Sequence, residues 1–216
     1  MEKPIQENKK DTWRTLYELF PIHSMLIQHW GVGQSQFVWN IRQNPKVVNV
    51  FSKIWKTPSE NLLTSFDGVS VHMPPEVTNR GWYRNNDWFH TDQNYQNPDF
   101  SCVQGMVTLY DVNPGDATLK FLKKSNHFHQ KFKEHFSITE TKDWYKLSSS
   151  ELDWYREQNC EEAKVLAKEG SIILWDSRTI HQGVEPLKER KNPNHRGIVY
   201  VCMTPREWSN SSNLGK

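Results

Sequence analysis

The chain has 216 residues, of which 36% are apolar, and this length suits a single domain with a sizeable core over residues 1–216. Its 27 basic and 25 acidic residues leave a net charge of +2, so composition indicates neither a nucleic-acid surface nor a polyanionic substrate. No apolar run approaches the ~20 residues of a membrane-spanning helix, so no membrane span is expected.

The start of the chain and the cysteines indicate a cytoplasmic protein. Residues 1–10 are polar, without the apolar stretch of a signal peptide, and are expected to be frayed. The three cysteines, Cys102, Cys160 and Cys202, show no Cys-x-x-Cys spacing, and we expect them to be reduced thiols.

The first 60 residues are predicted to be mostly helical support. A short helix is expected over residues 11–20, ended by Pro21, and a further turn or two over residues 24–30. Asn44 followed by Pro45 opens a clearer helix. Its apolar positions at helical spacing, which predict a core face, are Val47, Val48, Phe51, Ile54 and Trp55.

From Leu62 the pattern changes to short strands separated by turn signals. Strands are predicted over residues 62–71, 101–111, 117–122, 165–166, 171–175 and 196–203. An insertion near residues 126–160 carries two predicted helices, residues 128–136 and 149–157. The fold class is therefore mainly β with flanking helices, as a sandwich or barrel over residues 61–205.

Three residues form a candidate metal site. His90 and Asp92 are two positions apart, so on an extended strand both side chains point to one face. His181 follows a short apolar strand about 90 residues later. Two histidines and one carboxylate make the facial triad of non-haem Fe(II) oxygenases. The alternative for His90 is a structural histidine near a turn.

These residues lie in motifs that resemble the phytanoyl-CoA dioxygenase-like superfamily of Fe(II)- and 2-oxoglutarate-dependent oxygenases. The matching segments are residues 89–93 (FHTDQ), 102–107 (CVQGMV), 125–127 (SNH), 170–181 and 196–205, about the last two thirds of the chain, with a looser match at residues 63–68. The resemblance implies a double-stranded β-helix, a cupin-like jelly-roll with the metal at its mouth. It also implies Fe(II) bound by His90, Asp92 and His181, with 2-oxoglutarate as cosubstrate and O₂.

The resemblance also places an arginine on the strand after His181, where it binds the distal carboxylate of 2-oxoglutarate. Arg196 is the candidate, because a guanidinium binds a carboxylate bidentately. Its distance from His181, fifteen residues, is longer than usual, which leaves Arg190 as a rival in a charged segment interpreted as a solvated loop. Ile198 replaces the hydroxyl residue that many relatives carry, so Thr108 or Tyr200 is a candidate second donor.

Other polar residues have two interpretations. Gln93 and Gln104 either bind cosubstrate or substrate or brace loops. Arg178 is either a charge on the substrate side or, in the interpretation that we prefer, the structural partner of Asp176. His127 and His129 are not expected to bind metal. The loop aromatics, which line a substrate mouth or are packed down, are Trp82, Tyr83 and Trp88.

The function that follows from the resemblance is a dioxygenase that hydroxylates a small molecule, a lipid or a side chain and releases succinate and CO₂. The alternative is a non-catalytic jelly-roll that binds a metal or small ligand. No nucleic-acid partner is expected, and the sequence does not indicate an oligomeric state. The middle segment, residues 128–164, is either a lid over the mouth or a helical pair packed outside the sheet.

Overall fold

Two antiparallel sheets organise the chain in the computed structural model, which describes residues 4–6, 8–19, 26–84 and 86–209. The strands are β1 Leu26–Ile27, β2 Leu62–Thr64, β3 Val69–His72, β4 His90–Thr91, β5 Val103–Thr108, β6 Thr118–Leu122, β7 Tyr145–Lys146, β8 Glu162–Lys164, β9 Ile172–Asp176, β10 His181–Val184 and β11 Arg196–Pro205. The α-helices are α1 Gln36–Arg42, α2 Pro45–Trp55, α3 Pro75–Thr78, α4 His129–Phe136 and α5 Ser149–Glu157. The 3-10 helices are Lys10–Leu19, Val32–Gln34, Ser59–Asn61, Ser125–Phe128 and Arg206–Trp208.

The larger sheet has the strand order β1-β3-β11-β5-β9, with β2 also pairing to β11, and we call it the major sheet. The minor sheet has the order β7-β4-β10-β6-β8. Buried side chains from both sheets meet between them, namely Met106, Leu119, Trp175 and Ile198. This arrangement confirms the predicted jelly-roll core with flanking helices.

Helix α2 covers the outer face of the major sheet. The Asn44 side chain accepts a hydrogen bond from the backbone N–H of Lys46 at 3.0 Å and caps the helix start. Phe51 is fully buried and packs in one cluster with Val199 and Val201 of β11. Burial of such a side chain stabilises the fold by ~1.5–3 kcal/mol. The predicted helix and its core face are both confirmed.

The helical turns predicted over residues 24–30 are wrong for the described part of that range. Leu26 and Ile27 form β1, because their backbones pair with Ser70 and Val69 of β3. Residues 24 and 25, like residues 20 and 21 at the end of the first predicted helix, lie outside the described residues. That first helix is a 3-10 helix.

Helix α1 was not predicted. The Ser35 side chain caps it by accepting a hydrogen bond from the backbone N–H of Val38 at 3.4 Å. Its last residue, Arg42, is buried and donates to the backbone carbonyls of Gly33 and Asp67. Contacts between the Arg42 side chain and the backbone of two loops therefore hold the helix in place. These contacts cannot be inferred from the sequence of the helix itself.

The strand predicted over residues 62–71 is two strands. Its first part, β2, pairs with Met203 to Pro205 of β11, and its second part, β3, pairs with Arg196 to Val199. The strand predicted at residues 165–166 is displaced to β8, although the backbone N–H of Val165 still donates to the Leu119 carbonyl at 2.9 Å.

The helices of the insertion, α4 and α5, pack on the outer face of the minor sheet. Phe132 and Tyr155 are fully buried and share a cluster with Phe89, Leu122 and Ile180. These contacts fit the packed helical pair rather than the lid. Nowhere in residues 4–6, 8–19, 26–84 and 86–209 is there a helix long and apolar enough to cross a membrane.

Candidate metal centre

The three predicted metal ligands meet at one end of the minor sheet. His90 on β4 and His181 on β10 are direct cross-strand partners, and Asp92 lies just beyond β4. The Nε2 atom of His90 is 3.3 Å from Oδ1 of Asp92, and Nε2 of His181 is 3.2 Å from Oδ2. One ligand atom from each residue lies within 4.8 Å of the other two, as a shared metal ion requires.

Backbone carbonyls orient both imidazoles. The Nδ1 atom of His90 is 3.3 Å from the Trp88 carbonyl oxygen, and Nδ1 of His181 is 2.9 Å from that of Thr179. A proton on each Nδ1 satisfies these contacts and leaves Nε2 free to bind a metal, which is the usual way that a protein fixes the tautomer of a histidine ligand.

Asp92 is held as a carboxylate. Burial favours the neutral form, but in the metal-free protein the imidazoles of His181 and His90, whose Nε2 atoms face the carboxylate, outweigh it and leave the pKa of Asp92 well below its ordinary value. The backbone N–H of Asp92 donates to the Ser177 carbonyl at 3.1 Å and fixes the main chain at this point. An ionised, positioned carboxylate is the state that binds a cation.

The donor set fits Fe(II). Two imidazole nitrogens and one carboxylate oxygen converge from one side, which leaves the opposite coordination positions for other ligands. No thiolate takes part in this cluster. The three residues expected from the sequence are therefore brought together in a geometry that can hold iron.

Gln104 connects this centre to the major sheet. Its Nε2 atom, on β5, donates to Oδ2 of Asp92 at 2.6 Å. This contact is with a candidate metal ligand and not with a loop, and the binding of cosubstrate or substrate by Gln104 stays a prediction. The amide orients the carboxylate from the facing sheet, as outer partners of metal ligands do.

We expect Gln104→Leu to weaken Fe(II) binding by about 10–100-fold, the usual effect of losing such an outer partner. Leucine keeps the volume but cannot donate to Asp92. Anaerobic titration with Fe(II) would measure the change. Gln130→Leu is the matched control, because Gln130 is exposed on α4 and bonds only to Glu134 among the contacts described. Equal iron affinity in the two variants would contradict the prediction.

A cavity of about 870 Å³ opens in front of the metal ligands and is lined from both sheets. Arg196 of β11 lies in its wall and is 6% exposed. Its Nε donates to Oγ of Ser70 at 3.3 Å, and Nη1 donates to the Ala117 carbonyl at 3.2 Å. Among the ion pairs of the described residues none involves Arg196, so this guanidinium lines the cavity without a carboxylate partner.

Arg190 is engaged elsewhere, and the expectation that it lies in a solvated loop is wrong. Its side chain is 1% exposed and binds both carboxylate oxygens of Glu76 at 2.7 Å. Its Nη1 also donates to Asp116 at 2.8 Å. Arg190 is thus paired with two carboxylates outside the cavity. Its guanidinium is therefore not available to bind the carboxylate of 2-oxoglutarate.

The contacts of Gln93 and Thr108 do not support the expected cosubstrate roles. Gln93 donates to the carbonyls of Asn97 and Asp99 at 2.7 and 2.9 Å, so it braces the loop after β4. The Thr108 hydroxyl donates to the Tyr110 carbonyl at 2.6 Å. Both side chains are buried and lie outside the residues that line the cavity.

Two other hydroxyl residues line the cavity instead. Tyr200, one of the two predicted second donors, lies on β11 with Arg196. Ser70 was missed by the sequence analysis. It is the cross-strand partner of Ile198, so it supplies a hydroxyl beside that position. Only the pairing register of β3 with β11 reveals this.

The remaining predicted residues divide between the cavity and the scaffold. Trp88 lines the cavity, and its ring stacks on the His90 imidazole with centroids 4.8 Å apart. Arg178 pairs with Asp176 at 2.7 Å, as expected. His129 stacks on Tyr95 at 4.4 Å, away from the metal ligands. His127 is exposed.

His72 lies behind the arginine as the cross-strand partner of Arg196 and is 1% exposed. Burial and the charges of Arg196 and Arg190 lower the pKa of His72 from 6.5 to about 4. The native state therefore keeps this imidazole neutral at pH values where the unfolded chain protonates it. Stability is fully present above pH 6.5 and decreases as the pH falls towards about 4.

We expect the wild-type protein to lose about 2 kcal/mol more unfolding free energy than His72→Gln between pH 7.5 and pH 5, at 1.36 kcal/mol per pH unit. Urea unfolding at both pH values measures the difference. His127→Gln, at an exposed histidine, is expected to keep the wild-type pH dependence. The same slope in all three proteins would show that His72 does not contribute.

The jelly-roll, the two imidazoles and the carboxylate at its mouth define the arrangement of the non-haem Fe(II) oxygenases. The family model described as Phytanoyl-CoA dioxygenase (PhyH) matches residues 25–185, and the chain belongs to this family. The matched region includes all three candidate metal ligands and ends before Arg196.

Among curated proteins, the chain is 28% identical over 194 residues to "Ava biosynthesis cluster protein O" from Aspergillus versicolor. The match covers 86% of this chain and 60% of that relative, so the chain spans about three fifths of the relative's length.

Solved structures share the fold at low identity. EctD from S. alaskensis with bound Fe has a TM-score of 0.54 and 11% identity, covering 95% of this chain and 71% of that chain. EctD with 2-oxoglutarate and 5-hydroxyectoine has a TM-score of 0.53 and 12% identity, covering 81% and 54%. AviO1 from Streptomyces viridochromogenes Tue57 has a TM-score of 0.51 and 12% identity, covering 83% and 66%.

Proposed function

We propose that the protein is an Fe(II)- and 2-oxoglutarate-dependent dioxygenase that hydroxylates an organic substrate and releases succinate and CO₂. The observation that supports this most directly is the position of Arg196. Its buried guanidinium, without a carboxylate partner in the described chain, lines the same cavity as the three metal ligands. A dicarboxylate that reaches a metal at one end needs a cation at the other.

Each residue then has a defined task. His90, Asp92 and His181 hold the metal from one side and leave the cavity side open. Arg196, positioned by Ser70 and the Ala117 carbonyl, receives the distal carboxylate. Bound iron and 2-oxoglutarate supply the oxidative chemistry, in which O₂ is consumed as 2-oxoglutarate is decarboxylated. One oxygen atom ends in succinate and the other in the hydroxylated product.

A small organic molecule is the substrate class that we propose over a lipid or a protein side chain. The relative from Aspergillus versicolor is described as a biosynthesis cluster protein, and a role in biosynthesis is consistent with this proposal. The cavity of about 870 Å³ also lies in the size range of small-molecule sites, ~300–1,000 Å³.

Succinate formation tests the proposed activity. Protein reconstituted with Fe(II) would be incubated with labelled 2-oxoglutarate and O₂, with and without candidate substrates. We expect slow succinate formation without substrate and a faster rate when a substrate is present. Asp92→Ala is the matched inactive variant. Metal and 2-oxoglutarate binding without any succinate above the Asp92→Ala background would instead identify a non-catalytic binding protein.

A further inference from the structure

Residues 144–146 form one edge of the cavity, and their side chains alternate between scaffold and site. Lys146 and Tyr145 form β7, which pairs with His90 and Thr91 of β4. The Tyr145 hydroxyl donates to Glu151 at 2.5 Å, and its ring packs edge-on against Tyr95 at 5.2 Å. Tyr145 thus anchors the segment on the insertion, whereas Trp144 and Lys146 line the cavity.

The conformation of Trp144 is not explained by packing. The indole is 52% exposed, yet the residue has a φ of 68°, in the left-handed region that bulky residues rarely occupy. Its backbone N–H donates to the carbonyl of Asp92 at 3.0 Å, so the backbone position is tied to a metal ligand. The ring centroid lies 5.5 Å from that of His90. Strained, exposed residues of this kind concentrate at functional sites.

Lys146 gives the same edge a positive charge. It is exposed, it is the cross-strand partner of His90, and it lines the cavity. Among residues 4–6, 8–19, 26–84 and 86–209, no carboxylate forms an ion pair with it. Trp88, by contrast, already uses one ring face on His90 and a hydrogen bond from its indole N–H to the Gly183 carbonyl. Of the two tryptophans whose rings lie against His90, Trp144 is therefore the one that offers exposed ring surface to the cavity.

We propose that Trp144 and Lys146 form the substrate-recognition edge of this site, and that the substrate carries a flat aromatic ring bearing a carboxylate. The substrate's ring stacks on Trp144 and its carboxylate pairs with Lys146. The C–H groups of the substrate that lie between the ring and the carboxylate then face the open side of the metal ligands. This inference rests on the proposed function. It narrows the substrate from a small organic molecule to an aromatic acid.

The test compares four probe compounds with Mn(II)-loaded protein saturated with 2-oxoglutarate, in which no turnover occurs. The probes are 2-naphthylacetate, 2-naphthylacetamide, cyclohexylacetate and 2-(2-naphthyl)ethylamine. We expect 2-naphthylacetate to bind best, about threefold tighter than its amide, as for an exposed ion pair. We expect it to bind about fivefold tighter than cyclohexylacetate, as for an aromatic stack. Relaxation of the naphthyl protons by Mn(II) reports whether the probe lies beside the metal.

Variants at two positions separate the contributions of the charge and of the ring. Lys146→Met should remove the preference for acid over amide and keep that for naphthyl over cyclohexyl. Trp144→Leu should do the reverse, and Trp144→Phe should restore part of the ring preference. Lys142→Met is the matched control, because Lys142 is exposed in the loop before β7 but lies outside the cavity. It should bind all four probes as the wild type does.

The outcomes distinguish this inference from the proposed function. If Mn(II) and 2-oxoglutarate fail to bind, the proposed function itself is wrong. If both bind normally but the acid preference survives in Lys146→Met, the recognition edge is wrong. Tighter binding of the amine than of the acid would assign recognition to Glu185, a carboxylate that also lines the cavity, and would overturn the inference.

Discussion

Asp92→Ala and His181→Ala should each lose stoichiometric Fe(II). Each change removes one of three protein ligands whose donor atoms lie within 4.8 Å of one another. The loss should exceed the ~10–100-fold that follows from removing an outer partner of a ligand. Anaerobic Fe(II) titration, with the metal content measured after desalting, gives the stoichiometry.

His127→Ala is the appropriate control for these variants. His127 lies in one of the matching motifs, but it is exposed and does not belong to the metal cluster. It should retain wild-type iron content. Retention of one iron per chain by both Asp92→Ala and His181→Ala would contradict the assignment, whatever the activity of the variants.

Arg196→Met and Arg190→Met should have opposite effects. Arg196→Met should weaken 2-oxoglutarate binding at least about tenfold, because losing one partner of a shielded charge pair costs ~2–5 kcal/mol. Arg190→Met should instead lower the free energy of unfolding by ~3 kcal/mol or more. That change leaves Glu76 and Asp116 without the guanidinium that neutralises both of them.

Calorimetry with Mn(II) in place of iron measures cosubstrate affinity, and urea unfolding measures stability. Arg190→Met should bind 2-oxoglutarate normally under conditions where it is folded. Arg196→Lys adds a control, because lysine keeps the charge and loses the bidentate geometry, so an intermediate affinity is expected. If Arg190→Met lost cosubstrate affinity while folded and Arg196→Met kept it, the two roles would be exchanged.

The candidate metal ligands could be singled out from the sequence because short motifs carry them. His90 and Asp92 lie two positions apart, and a short apolar strand leads to His181. The strand that carries His90, β4, has only two residues, too few for any periodicity to reveal it. The His90-x-Asp92 motif could therefore be recognised although the strand that carries it could not be predicted.

The contacts around these residues could not be predicted, because they depend on pairing between distant strands. Ser70 reaches Arg196 through the register of β3 with β11, over 126 residues of chain. Gln104 was singled out, but its bond to Asp92 requires the two sheets to face each other. The charge of Arg190 in a polar segment indicated exposure, and only tertiary structure brings Glu76 and Asp116 to it.

The division of the site between two sheets affects the order in which the metal and 2-oxoglutarate bind. The three proposed iron ligands belong to the minor sheet and the loop after β4, whereas Arg196 belongs to the major sheet. The metal can therefore bind before any other component arrives. A dicarboxylate can be held at both ends only when the metal is already in place. Loading should accordingly be sequential, with free cosubstrate a poor ligand of the metal-free protein.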